Sequence, residues 1–180
     1  MDIRQTSSRV VYENAWMSVR EDEIVRADGS VGIYGVIDKP AYSIIAPYSD
    51  GGFHLVEQYR YPVGDRYWEF PQGTFSDRRE GRPEDVARIE LAEETGLTAG
   101  SLHYLGMVYI AYGMSSQACH AFVATDLNVG AVSREPEEQD MRAKWVPMAE
   151  FEEMIRFGSI VDAATVTAYA LMRLHGRLPM

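Results

Sequence analysis

Pro83-Glu84-Asp85-Val86-Ala87-Arg88-Ile89-Glu90-Leu91-Ala92-Glu93-Glu94-Thr95-Gly96 is the stretch on which the fold turns. Proline in the first turn and glycine just past the last periodic residue are start and stop signals, so the spacing predicts a helix over 83–95. At about 100° per residue, Glu90, Glu93 and Glu94 fall within roughly 100° of arc, with Val86 and Ala87 inside or beside it. Ile89 and Leu91 flank that arc, while Asp85, Arg88, Ala92 and Thr95 take the opposite side. Acidic helices ordinarily turn their charges to water; these carboxylates sit toward the apolar side. Like charges at i,i+3 and i,i+4 cost a helix about 0.2–0.5 kcal/mol per pair, and burial raises that cost. The segment has no Lys or Arg on the same face, so a bound hard cation is the economical partner. Oxygen ligands alone suit Mg2+ or Mn2+ rather than zinc.

Outward from this helix the chain alternates between strand and helix signals. Strands are expected over 9–13, 16–25 and 31–37, with Asp28-Gly29 as a turn, forming a small N-terminal sheet. Two more, 42–48 and 53–59, flank the hairpin signal Ser49-Asp50-Gly51-Gly52. Later strands are expected over 101–112, 118–125 and 142–146. Two further helices are expected: 148–157 between Pro147 and Gly158, and 163–175 with Asp162 as N-cap and Gly176 as stop. The pattern is α/β in the α+β sense, a mixed sheet with packed helices and a separate small antiparallel sheet.

Composition sets limits on partners. A chain of 180 residues, 46% hydrophobic, is expected to form one domain over 1–180, with 1–38 as its N-terminal strand portion. A net charge of −10 argues against nucleic acid, which needs an excess of Lys and Arg to displace counterions. No run approaches the roughly 20 apolar residues of a membrane span, and the first residues lack a secretory core. No membrane partner and a cytoplasmic location are therefore expected. Cys119 reads as a buried strand residue, and His54, His103, His120 and His175 share no metal-binding spacing.

Glu90-Leu91-Ala92-Glu93-Glu94-Thr95-Gly96-Leu97, preceded by Phe70-Pro71-Gln72-Gly73, resembles the Nudix box. The resemblance implies a Nudix-type α/β/α sandwich in which Glu90 and Glu94 are direct metal ligands. It makes Glu93 a ligand or water-orienting group and gives the Gln72 carbonyl to the metal. Val56-Glu57-Gln58-Tyr59-Arg60-Tyr61-Pro62 and Trp68-Glu69-Phe70-Pro71 look like the branch that hydrolyses ADP-ribose and related nucleoside diphosphate sugars. Glu137-Glu138-Gln139-Asp140-Met141 is similar to that branch's C-terminal acidic loop, which supplies the general base. Homodimers whose N-terminal sheets help build the partner's site are common in the branch, so a homodimer through 1–38 is implied. Two positions depart from the box. Ile89 stands where the family has arginine and Gly81 where it has its first glutamate, and the loop after Gly73 is two residues longer. Arg88 is adjacent but points about 100° away. Glu80 could take the glutamate's place if the loop bends back.

The expected chemistry is metal-dependent cleavage of a diphosphate, ADP-ribose giving AMP and ribose 5-phosphate. Arg60 would add a fork-shaped phosphate contact, and Glu138, with Glu137 as alternative, would accept the proton of the attacking water. Glu69, Trp68 and Ser115 are the remaining substrate-side candidates, Ser115 because the 113–117 loop replaces one that lies beside the substrate in relatives. Trp16, Tyr34 and Trp68 could stack on a base or simply pack in their strands. The same chemistry on GDP-mannose, NADH or another nucleoside diphosphate derivative is one alternative. A nucleotide-sugar binding or sensor protein, weakened by Ile89 and Gly81, is the other.

Overall fold

A computed structural model describes residues 3–75, 81–132 and 140–177. β1 (Arg4–Glu13), β2 (Ser18–Val25) and β3 (Val31–Asp38) form an antiparallel three-stranded sheet in that order. Asn14 Oδ1 accepts from the amides of Trp16 and Met17, turning β1 into β2, and Gly29 at φ 85° turns β2 into β3. Every residue of β1 is exposed.

The second sheet contains β4 (Tyr42–Ser49), β5 (Gly52–Arg60), β6 (Asp65–Glu69), β7 (Gln72–Gly73), β8 (Leu97–Tyr109), β9 (Ala118–Val129) and β10 (Arg142–Pro147). Its main path runs β10-β5-β4-β9-β8. β4 and β9 are parallel and the other pairs antiparallel, so the sheet is mixed. Central β4 is buried on both faces, and its alternation decides which layer each residue feeds. Ile44 and Ala46 enter a large core with Phe53, Phe70 and Phe151, under α2 (Met148–Arg156) and α3 (Ala163–Leu174). Ile45 enters a smaller core with Leu91 and Phe122, under α1 (Pro83–Thr95). Helices on both faces of one sheet give the expected α/β/α sandwich.

One irregularity builds the site. β4 and β5 pair only beside their hairpin, at Tyr48↔Phe53 and Ser49↔Gly52, and then part. β6 pairs with β5 on one side of this fork, and β7 pairs with β4 on the other through Ser43↔Gly73 and Ile44↔Gln72. Residues 70 and 71 cross between them, with Ile45 N donating to Pro71 O at 3.0 Å. β6 and β7 have no counterpart among the expected strands, because two residues carry no period and β6 opens on Asp65-Arg66, polar types that strands disfavour. β8 begins at Leu97, directly after the helix, rather than at 101, and a bulge between Tyr104 and Gly106 interrupts its alternation. Among the described residues, no helix is long and apolar enough to cross a membrane.

Candidate active site

α1 forms where its signals lie. Arg82 is its extended N-cap, Pro83 sits in the first turn, and Gly96 closes it at φ 72° with its N–H donated to Ala92 O. Glu94 is fully buried and Glu90 is 8% exposed, both among Val86, Ala87 and Leu91, while Glu93 is half-buried. The inward-facing acids are therefore real. Both grip the turn at β7. A Cβ added to Gly73 would lie 2.4–2.6 Å from the Glu90 carboxylate atoms, so only glycine admits that approach. Gln72 N donates to Glu94 Oε2 at 3.1 Å.

The fork's other arm carries a further buried carboxylate. Glu69 is 2% exposed, accepts from Gln58 Nε2 at 2.9 Å and is ion-paired with Arg60, whose Nε lies 3.2 Å from Glu69 Oε2. Burial pushes the Glu69 carboxyl above its ordinary range against the pull of Arg60 and Gln58. For Arg60, burial acts downward, yet Glu69, Glu94 and Asp162 together hold the guanidinium above its ordinary value. Its side chain is 41% exposed, and its Nη1 has no partner among the described residues. That edge remains open for a further anion.

Other expected residues lie apart from this set. Trp68 packs on the large core beneath Lys144 Nζ, 4.6 Å from the ring centroid, and as Glu69's strand neighbour it points to the opposite face. Ser115 Oγ donates to Ile37 O at 2.8 Å and accepts from Gln117 N, pinning the 113–117 loop to β3. It borders a cleft of about 260 Å³ with Tyr34, Tyr109 and Tyr112, where Tyr34 Oη donates to Gly113 O. Trp16 is an exposed residue within the β1–β2 turn. Glu80, Glu137 and Glu138 lie outside the described residues. Ile89 is 38% exposed, and Arg88 is held on the outer side of α1 by Glu84 and by Ala99 O at 3.0 Å, so it does not replace the missing box arginine. Asp162, read only as a helix cap, also reaches Gln72 Nε2 at 3.2 Å. Nothing in the sequence pattern signals that contact, which spans 90 residues.

A larger cleft of about 530 Å³ opens at the start of α1, between Val86, Phe75 and Ser43 on one side and Lys39 and His120 on the other. Val86, one helical turn before Glu90, lines this cleft, while Glu90 and Glu94 themselves are not among its walls. Among the described residues, no three His, Cys, Asp or Glu groups converge on one point as a closed cage. Two buried carboxylates on one helix face, Glu90 and Glu94, fit a hard ion that takes its remaining ligands from water and substrate phosphates.

A mixed α/β/α sandwich with a glutamate-bearing helix clasped to a glycine turn defines the class, and sequence comparison agrees. Residues 38–164 match the NUDIX domain, and residues 3–37 match the nucleoside diphosphate sugar hydrolase N-terminal domain. The chain belongs to the NUDIX family and is a Nudix hydrolase. It is 31% identical to an ADP-ribose pyrophosphatase of Mycobacterium tuberculosis over 92% of this chain and 80% of that one. An ADP-ribose pyrophosphatase of Bacillus subtilis is 30% identical over 85% and 75%. A CMP-5'-(N-acetyl-N-hydroxy-3-aminopropyl)phosphonate hydrolase of Streptomyces rubellomurinus is 28% identical over 93% and 81%. A crystal structure of an ADP compounds hydrolase shares the fold, with a TM-score of 0.85 at 21% identity, covering 98% of this chain and 96% of that one.

Proposed function

We propose that this protein is a cytoplasmic homodimer that hydrolyses the diphosphate of a nucleoside diphosphate sugar, with ADP-ribose as its first substrate. The observation that carries the reading is the burial of Glu90 and Glu94 against the Gln72–Gly73 turn. Glu90 and Glu94, with Glu93 and the Gln72 carbonyl, would hold Mg2+ or Mn2+, which would supply positive charge to the diphosphate. Arg60 presents its open Nη1 to a phosphate oxygen while Glu69 holds its other two donors in place. Glu138, or Glu137, takes a proton from the water that attacks phosphorus, and a nucleoside monophosphate and a sugar phosphate leave. Asp140, close to both in sequence, is tied to Arg66, which also reaches Glu57 at 3.0 Å. That clasp ties Asp140 to β5 and β6. The tyrosines of the smaller cleft offer faces for a base.

The two ADP-ribose pyrophosphatases support ADP-ribose, and the Streptomyces relative supports a wider range of nucleoside-linked phosphorus compounds. The exposed Ile89 at the arginine position favours slow turnover or, as the second reading, ligand binding without catalysis. A screen of ADP-ribose, GDP-mannose and NADH at millimolar Mg2+ and Mn2+, detecting released nucleoside monophosphate, separates these. We expect AMP from ADP-ribose, lost in Glu138→Gln with binding retained. Ligand-induced thermal stabilisation with no product from any compound would favour the binding protein.

A further inference from the structure

Asp162 has no task in the reading above beyond capping α3, yet it makes more contacts than a cap needs. Its Oδ2 accepts from Thr165 N at 2.8 Å, from Thr165 Oγ1 at 2.7 Å and from Gln72 Nε2 at 3.2 Å. The Thr165 hydroxyl in turn accepts from Phe70 N at 3.0 Å, and both Thr165 and Phe70 are fully buried. Gln72 N then donates to Glu94 Oε2. Hydrogen bonds thus link the N-cap of α3 to the Gln72 side chain and the Gln72 main chain to a carboxylate of α1, with the Gln72 residue itself joining the two. A serine or threonine caps a helix about as well through the first of these bonds alone. A carboxylate here adds negative charge to a region already holding Glu69 and Glu94, which a cap alone does not require. What the carboxylate adds is reach: it extends past its own helix to the Gln72 amide in half-buried surroundings, where a charged acceptor binds more strongly than a neutral one.

We infer that Asp162 is a positioning residue that fixes the Gln72 side chain and, through the Gln72 main chain, sets the Glu94 carboxylate for its cation. This rests on the assignment of Glu94 as a metal ligand, and the test separates the two. Mn2+ alone, without substrate, is titrated into the full-length chain and free Mn2+ is read by electron paramagnetic resonance, with Tm recorded in parallel. Asp162→Ser keeps a cap but is too short to reach Gln72. It is expected to weaken Mn2+ binding about 10–100-fold, the usual effect of losing a group that orients a ligand, while Tm stays within a few degrees. Gln72→Met removes the amide and leaves the cap intact, and is expected to weaken Mn2+ binding similarly. The double variant should be no weaker than either single one, because both break one line of contacts. Parent-like Mn2+ binding in Asp162→Ser, or losses that multiply in the double variant, would overturn the inference. Should Asp162→Ser fail to fold, Gln72→Met alone decides, parent-like binding counting against it. If Glu94→Gln also binds Mn2+ like the parent, the metal assignment itself falls; if Glu94→Gln loses Mn2+ while Asp162→Ser does not, only the role of Asp162 falls.

Discussion

At the scale of single residues, the site depends on an atom that is missing. Gly73 lies under the Glu90 carboxylate with no room for a Cβ. Gly73→Ala must push Glu90 aside, and since Glu90 sits at the rim of the core, the fold can absorb the shift more easily than the site can. We expect at least about a tenfold loss of activity, a barrier increase of about 1.4 kcal/mol, with a circular dichroism spectrum like the parent's; full activity would show that Glu90 has slack. The glutamates themselves were legible in the sequence, because acids among Val86, Ala87 and Leu91 at helical spacing contradict the usual arrangement. Asp162 was legible only as a cap, since its second partner comes from a distant turn. The pairing of Arg60 with Glu69 was hidden for a related reason: both were read as facing substrate, and the structure spends two donors of Arg60 on Glu69.

Among the elements, the strands carry the pH response. His54 on β5 lies 3.0 Å from Ser49 Oγ, and burial holds its imidazole below the ordinary value despite the opposing pull of Asp50. His120 on β9 is lowered by burial as well. Each is therefore harder to protonate in the folded chain than in the unfolded one. On acidification the unfolded chain takes up more protons, so stability is full above the ordinary imidazole value of about 6.5 and falls as pH drops below it. Urea midpoints at pH 7.5 and 5.5 should show this decline, and His54→Gln should flatten it; an unchanged slope would assign the effect elsewhere. The hairpin between β4 and β5 was readable from Asp50-Gly51, where both residues take positive φ. The fork beyond it was not, because it depends on β7, two residues long, and on β6, whose polar start hides it.

For the molecule as a whole, the N-terminal sheet stands out as unfinished. Val31 and Ile33, on one face of β3, are 75% and 64% exposed, and β1 buries nothing. A three-stranded sheet this open is stable when another surface covers it. Under the proposed homodimer, Val31→Lys with Ile33→Lys should give a monomer by sedimentation; a dimer that survives both changes would place the interface elsewhere. The sequence showed these strands and their turn but not their exposure, since alternation cannot tell a face that meets its own domain from one that meets a second copy.

The parting of β4 from β5 has a consequence for how the protein fails. Residues 70–73 bridge the two halves of the sheet, so neither half can loosen while the carboxylates keep their places. No partly melted form that still turns over substrate is available to such a design. Activity should therefore never outlast ellipticity along a denaturant series, and an activity curve that persists well beyond the spectroscopic transition would mean that one half can loosen while the carboxylates stay in place.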